Sequence, residues 1–154
     1  MRSLVPAVVG ILVFGAAAVR ADDGKPNLSG TWKLDAARSE MDQADKDLVL
    51  EIEENGENIH IKETRGPNPK KDVSEFICDT MSKECPMQDG GDKARVSAYY
   101  NGPLLVVLKT HGRRGSTVEK RRLSLSPAGD SLILEVMHIE PEGKAGKLVF
   151  TKAR

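Results

Sequence analysis

From Thr31 to Lys152 the chain is organised by a period of two. Leu48, Leu50 and Ile52 alternate with Glu51 and Glu53, the pattern of a strand with one buried face. Asn55-Gly56 follows, a strong short-range hairpin signal, and Ile59 and Ile61 alternate with His60 and Lys62 on the return. Gly66-Pro67-Asn68-Pro69 breaks the chain before alternation resumes from Asp72 to Cys78. Thr80 to Lys93 is the longest irregular piece, with Pro86, Gly90 and Gly91. Beyond it the pattern predicts strands over Arg95–Tyr100, Leu104–Leu108, Thr117–Ser126, Ser131–Ile139 and Lys147–Lys152. Leu104–Leu108 is unbroken apolar sequence, as expected of a strand covered on both faces.

With Thr31–Leu34 this makes about nine short, evenly spaced strands joined mostly by tight turns. Asp35 to Asp45 reads instead as a short helix, with Ala36, Ala37 and Met41 on one stripe. The predicted fold is all-β: an antiparallel up-and-down meander barrel of about 8–10 strands, with one short helix after the first strand. Its inner face draws on Leu48, Leu50, Ile52, Ile59, Ile61, Val96, Ala98, Tyr100, Leu132, Leu134 and Val136.

The ends change the picture by adding a compartment. Met1-Arg2-Ser3 leads into an uncharged run, Leu4 to Val19, that ends in Arg20-Ala21 before Asp22-Asp23. A basic start, an apolar stretch and small residues before acidic ones constitute a signal peptide, 1–21, cleaved after Ala21 or, as second choice, Ala18. The run is shorter than the ~20 apolar residues that span a bilayer, so no integral membrane anchor is expected after cleavage. Residues 22–154 then form a single exported domain, periplasmic or extracellular. In that setting Cys78 and Cys85 are expected to form a disulfide. Acidic and basic residues balance at 23 each, which gives no reason to expect nucleic acid as a partner. An aromatic content of 4% does not supply the girdles of an outer-membrane barrel.

Three segments carry a family resemblance. Gly30-Thr31-Trp32-Lys33-Leu34 with Asp35-Ala36-Ala37-Arg38-Ser39, the stretch Arg121-Arg122-Leu123-Ser124-Leu125-Ser126-Pro127-Ala128-Gly129-Asp130-Ser131-Leu132, and the terminal Leu148-Val149-Phe150-Thr151-Lys152 resemble small exported bacterial proteins of the lipocalin-like, calycin type. The resemblance implies that Gly30 and Trp32 close one end of a barrel. A late basic residue, Lys152 or Arg154, would then lie over the indole as a cation on its face.

Motifs for chemistry are sparse. His60, His111 and His138 have no zinc spacing, no Gly-x-Ser-x-Gly frames a serine nucleophile, and adjacent Glu53-Glu54 point to opposite faces of a strand. No enzyme, metal or cofactor is expected. His138 alternates with Leu132, Leu134 and Val136 and is the one histidine placed for an interior. Cys78, Met81, Cys85 and Met87 form a soft sulfur set suited to Cu(I), with a disulfide flanked by two methionines as the competing and preferred reading. Lys109, Arg113, Arg114, Lys120, Arg121 and Arg122 cluster around one hairpin against Glu119. They read as a charged, solvated edge.

The expectation is a monomeric barrel that binds a small apolar or amphiphilic ligand without catalysis, facing it with Leu50, Ile61, Tyr100, Leu134, Val136 and His138. The alternative is an envelope structural or protein-interaction module whose core is filled.

Overall fold

The computed structural model describes residues 24–40, 46–112 and 117–154. The expected signal peptide and the second half of the expected helix lie outside the described residues. Ten strands form one closed antiparallel barrel: β1 (Gly30–Leu34), β2 (Val49–Asn55), β3 (Asn58–Thr64), β4 (Val73–Asp79), β5 (Cys85–Asp89), β6 (Asp92–Asn101), β7 (Leu104–His111), β8 (Thr117–Leu125), β9 (Ser131–Glu140) and β10 (Gly146–Lys152). Each strand pairs with its sequence neighbours, and β1 closes the ring against β10 with Trp32 opposite Lys152 and Leu34 opposite Phe150. Closure leaves no sheet edge for another chain to extend.

Two expectations need correcting. The segment after β1 is a 3-10 turn, Ala36–Arg38, not a helix of two or three turns. Asp35 caps it by accepting from the Arg38 backbone N–H, and Glu40 already bridges back to Lys147. The second correction is β5, which lies inside the stretch read as irregular. It is only five residues long and contains Pro86, two features that hide a strand from pattern reading. Asp89 pairs with Asp92, so Gly90 and Gly91 alone make the turn, with φ of +58° and +104°. A two-residue hairpin turn with both residues left-handed is the type that glycine favours.

The inward face follows parity along each strand. Leu50 and Ile52 lie opposite Glu63 and Ile61; Ile59 and Ile61 lie opposite Cys78 and Phe76. Leu123 and Leu125 face Leu134 and Leu132, which in turn face Leu148 and Phe150. These side chains are buried together as one core. Val106 points outward yet is also buried, so β7 is covered on both faces as its apolar run implied.

Trp32 and Leu28 are fully buried at one end of the barrel. The indole Nε1 donates to the Leu28 carbonyl at 2.9 Å, and the Leu28 N–H donates to the Glu54 carboxylate. The entering chain is thereby tied under the barrel, and Lys25 lies 4.5 Å from the centre of the Tyr100 ring. Cys78 and Cys85 are disulfide-bonded. They continue the β4–β5 register past the Phe76–Met87 pair and close a loop whose cross-link stabilises by about 2–3 kcal/mol.

Gly30 has φ +145°, and a Cβ there would meet the Lys152 Cε at 2.7 Å. Gly30→Ala is expected to cost about 1–3 kcal/mol, read as a lower urea midpoint. Trp32 is the one tryptophan of the chain, so its emission reports the same event: blue and quencher-resistant when folded, red-shifted on unfolding.

Candidate functional site

The barrel interior is not uniformly apolar. Towards the end opposite Trp32, parity brings a set of polar side chains inward, one or two from each of β3, β4, β5, β7 and β8. Glu63 follows Ile59 and Ile61 on β3, and Ser74 precedes Phe76 on β4. Asp89 follows Met87 on β5, Lys109 follows Leu105 and Val107 on β7, and Arg121 and Glu119 precede Leu123 on β8. A register irregularity sits at Val118/Glu119: Val118 pairs with Glu140 and Glu119 with His138, leaving Ile139 as the extra residue of β9. The bulge lies just beyond Glu119, whose inward position follows from its parity with Arg121 and Leu123.

These groups pair with one another. Arg121 donates to Glu63 at 2.7 Å and, through Nε, to Glu119. Strands β3 and β8 stand on opposite sides of the ten-strand ring, so the Glu63–Arg121 pair crosses the lumen. Lys109 bonds Asp89 at 2.8 Å across the intervening β6, and Ser74 donates to the same carboxylate at 2.7 Å. Arg65, at the rim, pairs with the other oxygen of Glu63. His138, also at the rim and partly exposed, stands 3.6 Å from Glu119.

The protonation states follow from this pairing. Burial pushes the Glu63 carboxyl up, but the Arg121 and Arg65 guanidiniums outweigh it and hold Glu63 below the usual carboxylate range. For Glu119 burial is likewise outweighed by Arg121, and for Asp89 by the Lys109 hydrogen bond. Burial opposes the charge of Arg121 too, yet Glu63 and Glu119 raise its pKa further. The three carboxylates and Arg121 are therefore charged at neutral pH. At the closed end, burial and the Glu54 carboxylate raise the Tyr100 hydroxyl, which donates to Glu54.

Directly against this layer lies a cavity of about 20 Å³ lined by Leu50, Ile61, Phe76, Met87, Val107, Leu123 and Leu134, with Lys109 and Arg121. That volume holds about one water molecule. Of the residues expected to face a ligand, Leu50, Ile61 and Leu134 meet around the cavity. Val136 is inward and buried but sits opposite Arg121, Tyr100 is engaged with Glu54 at the closed end, and His138 is at the rim. Lys152 holds its ammonium 5.3 Å from the Trp32 ring centre, whereas Arg154 is exposed.

The reading of the basic hairpin as a solvated edge fails at two positions. Lys109 and Arg121 are interior and ion-paired; Arg113 and Arg114 lie outside the described residues. The soft sulfur set does not assemble either, because its cysteines are oxidised, Met87 is buried and Met81 is exposed. Glu63, Asp89, Glu119, Lys109 and Arg121 were missed as site residues. The available signal was parity: each lies an even number of positions from apolar inward residues of its own strand.

No family model and no curated protein matches the chain in sequence. Solved structures do match. Lipid binding protein 8 of Caenorhabditis elegans superposes with a TM-score of 0.59 at 10% identity, covering 81% of this chain and 94% of that one. Fatty-acid-binding protein 1 of Echinococcus granulosus gives 0.59 at 12%, covering 82% and 98%. The fatty-acid-binding protein of Manduca sexta gives 0.57 at 11%, covering 80% and 98%.

Removing Arg121 takes from the buried Glu119 its guanidinium partner and leaves Glu63 with Arg65 alone. Arg121→Met is expected to destabilise by about 3–5 kcal/mol, measured by urea unfolding at pH 7. Because Glu63, Glu119 and Asp89 have lowered folded pKa values, their contribution is complete above the ordinary carboxylate range. It is lost as pH falls through that range, where the unfolded chain takes up protons first. A wild-type urea midpoint that is flat from pH 8 to 6 and drops below about pH 4.5 is the expected profile.

At this identity the likeness establishes the fold alone: the chain has the ten-stranded antiparallel barrel seen in fatty-acid-binding proteins.

Proposed function

We propose that the protein is an exported, non-catalytic barrel that binds a small apolar or amphiphilic molecule in its interior. The cavity beneath the ion-paired layer carries this reading: apolar walls from seven strands meet two cationic side chains inside a closed barrel. The matching structures are of lipid-binding and fatty-acid-binding proteins, which supports the same class. Export is supported by the disulfide and by the tripartite pattern of residues 1–21. Among the described residues no helix is long and apolar enough to cross a membrane.

Small-molecule sites run from about 300 Å³ upward, so binding has to enlarge the cavity. The structure has a suitable wall. β4 and β5 pair at only three positions, and two cavity-lining side chains, Phe76 and Met87, face each other across that short ladder. Methionine has three rotatable bonds and repacks readily. The same small volume favours the second reading, an interaction module whose barrel is filled by its own side chains.

Titration with the neutral probe N-phenyl-1-naphthylamine separates the two. Binding predicts a saturable 1:1 fluorescence rise that Leu134→Trp, which fills the cavity, abolishes while unfolding stays cooperative. A wild-type protein that takes up no probe, and carries no small molecule by native mass spectrometry when isolated from its host, is the filled module.

A further inference from the structure

The ion-paired layer bears on what such a ligand can be, and this inference rests on the binding reading above. The layer contains the carboxylates of Glu63, Asp89 and Glu119 and the cations of Lys109, Arg121 and Arg65. Three negative groups thus meet three positive ones, and each cation already has a carboxylate partner. Lys109 and Arg121 are the two that reach the cavity, and the charge of each is already balanced by a resident carboxylate. Arg121 is held from two sides, by Glu63 across the lumen and by Glu119 two positions away on its own strand.

We infer that the interior selects amphiphiles with a neutral polar head, such as an alcohol or amide, and disfavours free carboxylates. A carboxylate entering here has either to displace a resident carboxylate, leaving it buried and unpaired, or to add a net negative charge to a balanced low-dielectric layer. Both are costly. A hydroxyl or amide can donate to Glu63, Asp89 or Glu119 and accept from Lys109 or Arg121, and it changes no charge. The exclusion of the wrong head group comes from charges the barrel already holds, a repulsive element built into the site.

Displacement of bound N-phenyl-1-naphthylamine by 1-decanol and by decanoate tests the assignment. Both competitors are compared at pH 8, where a free carboxylate is ionised. Decanol should displace the probe at concentrations at least about tenfold lower than decanoate. Glu119→Gln and Glu63→Gln each remove one negative charge from beside Arg121 and leave the layer with a net positive charge. In either variant decanoate should improve at least about tenfold while decanol changes little. Cooperative unfolding by Trp32 emission identifies which of the two variants is folded and usable. Decanoate competing as well as decanol in the wild type, decanol failing to displace bound probe, or a folded variant with unchanged selectivity overturns the inference and leaves the binding reading standing. A barrel that takes up no probe removes both.

Discussion

The Glu63–Arg121 pair spans the barrel from one wall to the other, and the interior is arranged around it. In a ten-strand ring the lumen is wide enough that side chains from opposite walls do not meet unless both are long. Glutamate and arginine are long enough, and their 2.7 Å contact joins β3 to β8 where no backbone ladder can. A charge pair at that depth survives only if its remaining donors and acceptors are also satisfied. This accounts for the company it keeps: Glu119 takes the other side of the guanidinium, and Arg65 takes the other oxygen of Glu63. Lys109, Asp89 and Ser74 extend the same logic to β7, β5 and β4. Apolar side chains pack below this layer, and the rim residues Arg65 and His138 stand above it.

The two ends of the barrel are consequently different kinds of structure. The Trp32 end is shut by the entering chain itself. Leu28 is pulled into the core, and hydrogen bonds run from the Leu28 N–H to Glu54 and from the Trp32 indole to the Leu28 carbonyl. Lys152 over the indole and Lys25 over Tyr100 cover what remains. Most of these contacts are local, within a few residues or on an adjacent strand, while Tyr100 reaches from β6 to Glu54 on β2. At the other end the Glu63–Arg121 pair crosses the lumen between strands that are distant in the sheet, and partners on the same or nearby strands complete its surroundings. The entering chain makes a plug; the cross-lumen pair makes a partition that an incoming molecule has to meet.

This contrast also explains which parts were legible in the sequence. Alternation of apolar and polar residues sufficed for nine of the strands, their order and the inward apolar set, because each signal is contained in one strand. The closing role expected of the Trp32 end rested instead on the resemblance that Gly30-Thr31-Trp32 carries. The partition was not legible. Lys109 and Arg121 stand in a run of basic residues, and alternation alone treats a charged residue as outward. What turns them inward is a partner roughly 60 positions away for Arg121, since Glu63 lies 58 residues earlier. No window along the chain contains both. Parity with Leu123 and with Val107 pointed the right way, but only closure of the ring supplies the counter-charges that make those positions tolerable. β5 was lost for a different reason: five residues with a proline are too few for a period to register.

Adaptability is concentrated where these constraints are weakest. Most of the wall is held by long ladders, such as eight paired positions between β6 and β7. Between β4 and β5 the ladder covers three, as it does between β1 and β10, but of these two seams only β4–β5 lines the cavity, with the Cys78–Cys85 cross-link in register beyond it. The disulfide fixes the separation of the two strands near the closed end without using backbone hydrogen bonds, while Ser74 and Asp89 join them at the partition. Between those two ties lies the Phe76–Met87 pair, both side chains facing the cavity. A ligand that enlarges this space therefore has to move side chains rather than break the ring: the staple and the Ser74–Asp89 bond keep the strands together while Phe76 and Met87 change rotamer. Rearrangement of that kind disturbs neither the plug nor the cross-lumen pair, so the barrel can vary its volume at one wall and still present the same balanced charges to whatever enters.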